Sequence, residues 1–270
     1  MVNGPNVQSL HQQGSELYNQ GRYQDAIQRF NRALEISGEN PQVLTNRGYA
    51  FFGLKKPQEA IDNFQRALKL DPSYSFAWHG QGLVLAKLRQ YERAVDCFTH
   101  ALEYEPKNHQ LWYNKGTALN KLERYQDAIA CFRKAVKLKP SDYRSLYNQA
   151  IAQGGLEKYR DALRTIRQVL DLSPRYAPAW NYQGSMFLSL KQYAQAIESF
   201  EYAIELDSHN ASAWFGKAKC YVFLNDVDMV LNCLYRTFVI SPFLYKVAAQ
   251  TAPEFEGLQD NPQFQKLVSE

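Results

Sequence analysis

Residues 78–101 read WHGQGLVLAKLRQYERAVDCFTHA, and 34 residues later the chain reads WYNKGTALNKLERYQDAIACFRKA. A chain that repeats at a fixed period folds as an array of equal units, so this period constrains the architecture more tightly than composition does. Blocks of 34 begin at Val7, Pro41, Ser75, His109, Tyr143, Ala177 and Ala211, and the last ends at Leu244. Position 8 of the repeat holds Gly14, Gly48, Gly82, Gly116, Ala150, Gly184 and Ala218. Position 20 holds Ala26, Ala60, Ala94, Ala128, Ala162, Ala196 and Val230, and position 24 holds Phe30, Phe64, Phe98, Phe132, Ile166, Phe200 and Leu234. Trp78, Trp112, Trp180 and Trp214 share position 4; Tyr23, Tyr91, Tyr125, Tyr159 and Tyr193 share position 17.

Positions 4, 8 and 11 fall on one face of a helix, and positions 20, 24 and 27 on one face of a second. Small residues where the two helices cross let the backbones approach, and the aromatic residues fill the space beside them. Pro72, Pro106, Pro140, Pro174 and Pro242 at position 32 stop the second helix. Asn40-Pro41 reads as an N-cap followed by proline in the first helical position, with Asn108 and Asn210 as caps at the equivalent place. Each block is thus a helical hairpin whose open side stays exposed until a neighbour covers it.

These tryptophans, glycines, tyrosines, alanines, phenylalanines and prolines, in seven copies in register, resemble the tetratricopeptide repeat family over residues 7–244. The resemblance implies an all-α, right-handed α-solenoid (superhelix) of seven antiparallel helix pairs plus a C-terminal capping helix. Residues 1–6 lie outside the period and are expected to be disordered. The tail 245–270 loses the period but keeps Tyr245, Val247 and Ala248, then Phe264, Leu267 and Val268, at helical spacing. It is expected to cap the open end, with one helix over 242–252 and a short one over 262–269 begun by Pro262. Similar tails close other proteins of the family, which implies a complete chain.

The resemblance also implies that first helices line a concave groove, with positions 2, 5, 6, 9, 12 and 13 facing it. There the blocks differ. Candidate peptide contacts are Thr45, Asn46, Tyr49, Phe76, His79, Tyr113, Asn114, Thr117, Arg144, Tyr147, Asn148, Ile151 and Asn181. Carboxamides can pair with both groups of a peptide bond, while aromatic rings bury side chains at little entropic cost. Asn46, Asn114 and Asn148 resemble an interrupted form of the asparagine ladder of some long grooves in the family; the alternative is that asparagine is simply a frequent polar residue at position 6. The family's two-carboxylate clamp for chaperone tails needs Lys at position 5 and Asn at position 9. No block has either, which argues against a C-terminal carboxylate partner of that kind. Position 7 is polar in all seven blocks (Gln13, Arg47, Gln81, Lys115, Gln149, Gln183, Lys217), which fits a stripe of long stems packing beneath wet heads.

Charge is uneven. The whole chain carries +4, but the fourth and fifth blocks carry +4 and +3, largely on second helices. Arg133, Lys137, Arg160, Arg164 and Arg167 form a candidate basic patch on the outer side, for an acidic protein surface, a membrane or nucleic acid. No aromatic platform is interleaved with these cations, which argues against nucleic acid and for a solvated face.

No apolar run approaches the roughly 18 residues of a membrane span, and the start MVNGPNVQSLHQQ has no signal-peptide character, so a cytoplasmic setting is expected. Cys97, Cys131, Cys220 and Cys233 show no metal or disulfide spacing. The five histidines are scattered, and GQGLVLA lies within a helical stretch with no strand before it, so it is no phosphate loop. The expectation is a non-catalytic adaptor or assembly scaffold, without metal or cofactor, that binds a protein or peptide partner.

Overall fold

The computed structural model describes residues 6–269; residues 1–5 of the expected disordered start lie outside the described residues. Asn6 itself caps the first helix, its side chain accepting from the Ser9 N–H at 2.7 Å. Described residues form helices and turns, with no strand. In the first unit, residues 1–140, the helix pairs are α1 (Val7–Asn19) with α2 (Tyr23–Ser37), α3 (Pro41–Gly53) with α4 (Pro57–Leu70), α5 (Ser75–Lys87) with α6 (Tyr91–Tyr104), and α7 (His109–Lys121) with α8 (Tyr125–Leu138). The second unit, residues 141–270, holds α9 (Tyr143–Gly155) with α10 (Tyr159–Leu172), α11 (Ala177–Ser189) with α12 (Tyr193–Leu206), and α13 (Ala211–Phe223) with α14 (Val227–Ile240). The tail adds α15 (Pro242–Thr251), a 3-10 turn (Pro253–Leu258) and α16 (Pro262–Ser269).

The first helix of every pair begins where a block of 34 begins. Asn40, Asn108 and Asn210 cap as their positions predict, each accepting backbone N–H bonds from the first turn. Within each pair the crossing is set by positions 8 and 24. A Cβ built on Gly116 would lie 2.8 Å from Cε1 of Phe132, whose ring is fully buried, and Gly14, Gly48, Gly82 and Gly184 are closed off by their own phenylalanines in the same way. Alanine occupies position 8 only in the two repeats whose partner is smaller: Ala150 with Ile166, and Ala218 with Leu234. The aromatic ring, then, is what demands glycine. Gly80 and Gly216, at position 6, admit the Phe64 and Phe200 rings of the preceding repeat, with Cβ positions 2.4 Å from ring carbons. These two glycines serve packing rather than the groove.

The turn inside each hairpin carries a signal that the sequence hides. Position 15 is left-handed in all seven repeats: Gly21, then Lys55, Arg89, Glu123, Glu157, Lys191 and Asn225 with φ of 56–60°. At Lys55 the Lys56 N–H bonds the Phe51 carbonyl and the Lys55 N–H bonds that of Phe52, a Schellman ending that satisfies the last carbonyls of α3. A branched-free but non-glycine residue in this conformation costs roughly 1–2 kcal/mol. Glu157→Gly should therefore raise unfolding free energy by about 1 kcal/mol, part of the gain being offset by the freer unfolded chain; urea denaturation measures it.

Tryptophan at position 4 fastens the loop before its helix. The indole N–H donates to the Pro72, Pro106 and Pro174 carbonyls from Trp78, Trp112 and Trp180 at 2.8–2.9 Å, and Trp214 reaches the Ser208 carbonyl at 3.4 Å. The position-7 stripe is also explained in part. Arg47 donates to Asn63 on its own second helix and to Asn31 on the preceding one, Ser199 donates to Gln183, and buried Lys217 pairs with Glu201 at 2.7 Å. Arg47 thus ties α3 to the second helices on both sides, while Gln183 meets its own second helix and Lys217 the preceding one.

In the tail, α15 buries Ala249, while Val247, counted above among its apolar residues, points outward at 59% exposure. The deepest residues are Phe255, in the 3-10 turn, and Phe264, both fully buried with Phe215 and Leu234 of the seventh repeat. Glu254 beside Phe255 pairs with Lys219 of α13 at 2.8 Å.

Candidate functional site

Within each unit the first helices of neighbouring repeats touch: α1 with α3, α3 with α5 and α5 with α7 in the first, α11 with α13 in the second. Their second helices make no comparable contact, so the first helices lie on the inner side of each stack. The candidate groove residues divide between the two units.

In the first unit they form a connected polar string. Tyr49 donates to the Phe76 carbonyl at 3.1 Å and lies 3.2 Å from His79 Nδ1. His79 Nε2 lies 2.9 Å from Asn114 Nδ2, and Gln110 donates to Asn114 Oδ1 at 3.2 Å. One assignment satisfies every member: Asn114 donates to Nε2, the Nδ1–H donates to the Tyr49 oxygen, and Tyr49 donates onward to the carbonyl. The imidazole is neutral in that assignment. Repeats 1 and 2 use the same pairing, with Asn46 Nδ2 at 2.7 Å from His11 Nε2. Phe76 is 55% exposed beside this string. Tyr113 and Asn114 are half-buried, with the Tyr113 ring tilted against Phe132. Thr117 donates to the Tyr113 carbonyl. Thr45 is the exception: it is 1% exposed, so it offers no surface to a ligand and belongs to the packing between helices.

Burial lowers the pKa of His79, opposed by the nearby Glu105 carboxylate, and burial lowers that of His11. A histidine held neutral in the fold but protonated in the unfolded chain contributes stability that is complete above the unfolded value near 6.5 and is lost as pH falls toward the folded value. Stability should therefore decline as pH drops below about 6.5. In His79→Gln that decline should be shallower, as read by urea midpoints across pH.

In the second unit, Tyr147 packs edge-on to Tyr176 at 5.3 Å and to Tyr182 at 6.0 Å, and burial with the neighbouring Tyr176 pushes its phenol up to about 12. Asn148 donates to the Arg144 carbonyl at 2.9 Å, Ile151 is half-buried, and Asn181 donates to Ser212 at 3.3 Å. Arg144 is exposed and lies 3.5 Å from the buried Asp142 carboxylate. At the far end of this inner side, the tail occupies Lys219 through Glu254. Burial works to raise the Glu254 carboxyl, but the Lys219 hydrogen bond and a backbone bond hold it below its ordinary value.

The basic residues also divide: Arg133 and Lys137 stand exposed on α8, and Arg160, Arg164 and Arg167 stand exposed on α10, where Arg164 pairs with Asp161. The cysteines are buried free thiols, pushed by burial up to about 11 for Cys131 and Cys233 and about 12 for Cys97 and Cys220. They behave as small apolar residues, not nucleophiles. Among the described residues no three His, Cys, Asp or Glu side chains converge as for a metal ion, and no helix is long and apolar enough to cross a membrane.

The repeat period places these residues on one side, but their mutual bonds leave no mark in it. Position 5 of one repeat meets position 6 of the next 35 residues on, a spacing that no single block displays.

The tetratricopeptide repeat profile matches residues 11–75, 79–143, 147–211 and 187–228. Among solved structures, YrrB, a tetratricopeptide protein with an unusual peptide-binding site, is 26% identical; the match covers 68% of this chain and 95% of that one, with a TM-score of 0.61. The C-terminal part of a repeat-containing protein from Cytophaga hutchinsonii is 16% identical over 89% of this chain and 99% of its own, with a TM-score of 0.70. A tetratricopeptide repeat protein from Parabacteroides merdae is 16% identical over 99% and 100%, with a TM-score of 0.69. No curated protein matches the sequence significantly.

Proposed function

Because the chain belongs to the tetratricopeptide repeat family, whose members mediate protein–protein interactions, we propose that it is a non-catalytic adaptor or assembly scaffold whose inner helices hold a segment of another protein. The observation that carries this is the string Tyr49–His79–Asn114 beside exposed Phe76. It presents apolar surface next to amide and phenol groups already fixed in place, so little ordering is needed on binding. The peptide site of YrrB supports a linear ligand. In the second unit, Arg144, Tyr147, Asn148, Ile151 and Asn181 supply a second stretch of inner lining. A cytoplasmic setting is part of this proposal.

The test is capture of partners from the native cell by the full chain and by a Phe76→Ala, Asn114→Ala variant, with both captures identified by mass spectrometry. A partner retained by the first and lost by the second is expected; equal capture by both removes the inner side from the function. A second reading assigns docking of an acidic surface to the exposed arginines of α10. An Arg160→Glu, Arg167→Glu variant that loses the partner while the inner-side variant keeps it would select that reading.

A further inference from the structure

A pocket of about 340 Å³ opens on the inner side of the first unit between α5 and α7. Its apolar wall comes from Phe52, Leu83, Tyr91 and Phe98, and Lys87 and Lys121 stand at its edge. Asn114, the last member of the polar string, lines it as well. The lysines occupy position 13 in consecutive repeats. The other first helices carry Asn19, Gly53, Gly155, Ser189 and Phe223 there, so the two cations of this position both fall on this pocket. Each lysine also ends its helix, where a cation complements the helix dipole. That would account for a lysine at any of the seven positions, and it does not account for two converging on one apolar hollow. Both are exposed, and neither is in a salt bridge among the described residues. Position 9 of α5 is Leu83, where the two preceding repeats have Ser15 and Tyr49, so the α5 side of the pocket is apolar; Thr117, at the same position of α7, lines the pocket beside Asn114.

An apolar hollow takes a side chain that gains by leaving water, and cations at its edge select what stands beside that side chain in the ligand. We propose that this pocket receives one bulky aliphatic or aromatic side chain of a partner segment that carries Asp or Glu next to it. The proposal deepens the inner-side reading above and rests on it. It differs from a chain-terminal carboxylate clamp in that the anions are side chains flanking an internal anchor.

The experiment pans a phage library of random linear peptides against the full-length chain, then measures the enriched sequences as labelled synthetic peptides by fluorescence polarisation. The lysines are exposed, so Lys87→Glu with Lys121→Glu keeps the fold with only a small loss of stability at two helix ends, as circular dichroism and thermal melting verify. Expected are enriched sequences with a bulky apolar residue flanked by acids, weakened by at least about tenfold in the charge-reversed variant and weakened further by added salt. Neutral or basic sequences, or acidic ones bound equally by both proteins, overturn the proposal. If such peptides still lose affinity in Phe76→Ala, the inner-side reading stands while this inference falls. Failure to enrich any sequence also overturns it, since the pocket then takes no linear segment.

Discussion

Gly116→Leu is expected to destabilise the first unit by roughly 1–3 kcal/mol, because the new side chain must displace a packed ring. The Cβ alone would lie 2.8–3.0 Å from three carbons of Phe132. That ring is fully buried and cannot swing into solvent, so the helices must separate or the ring must leave its rotamer. Gly116→Ala should show the same effect at smaller size. The chain supplies its own control: where position 24 is Ile166 or Leu234, position 8 is Ala150 or Ala218. Phe132→Ile by itself leaves a void and is costly, but Gly116→Ala with Phe132→Ile rebuilds the pair found in the fifth repeat. The double variant should therefore cost less than the sum of the singles, with a coupling of about 0.5–3 kcal/mol by urea denaturation. Strict additivity would show that Cβ and ring do not compete, and the account of the glycines would fail.

How much was legible follows from where the information sits. The helices, their starts and the crossings recur at one period, so seven copies vote on each position. The left-handed turn at position 15 recurs as strictly, but Lys55, Arg89, Glu123, Glu157 and Lys191 bear no residue-type mark of it. The backbone there is imposed by the Schellman bonds and by packing of the hairpin, which outweigh a conformational preference of about 1–2 kcal/mol. The candidate site was legible by position and not by state. Asn114 was expected to offer its amide to a ligand, yet that amide meets His79 on one side and Gln110 on the other. Thr45 sits at a nominal groove position and is buried, so the position within the repeat does not by itself decide whether a side chain reaches solvent. Bonds between successive repeats depend on two blocks at once, and variation between blocks conceals them.

Phe255→Ala carries the other large expected effect, about 3–5 kcal/mol, for removal of a fully buried aromatic side chain. Periodicity gave no hint of this residue: it lies in APEFEGLQD, between two glutamates, in a stretch without helical spacing. In the structure its ring centroid lies 5.5 Å from that of Phe215 and 6.2 Å from that of Phe264, so it joins the last repeat to the final helix. Glu254 holds the same turn through Lys219, but that pair is partly solvated and contributes little beside the ring. Repeat stacks lose stability locally, each unit leaning on its neighbours. The damage should therefore fall on α13 to α16 first: faster amide exchange there and earlier cleavage of the tail by protease, with the first unit's exchange unchanged. Glu254→Gln should produce a small fraction of that effect. A Phe255→Ala variant whose tail stays protected would mean that α15 and α16 close the array without the 3-10 turn, and the turn would lose its role as the cap's anchor.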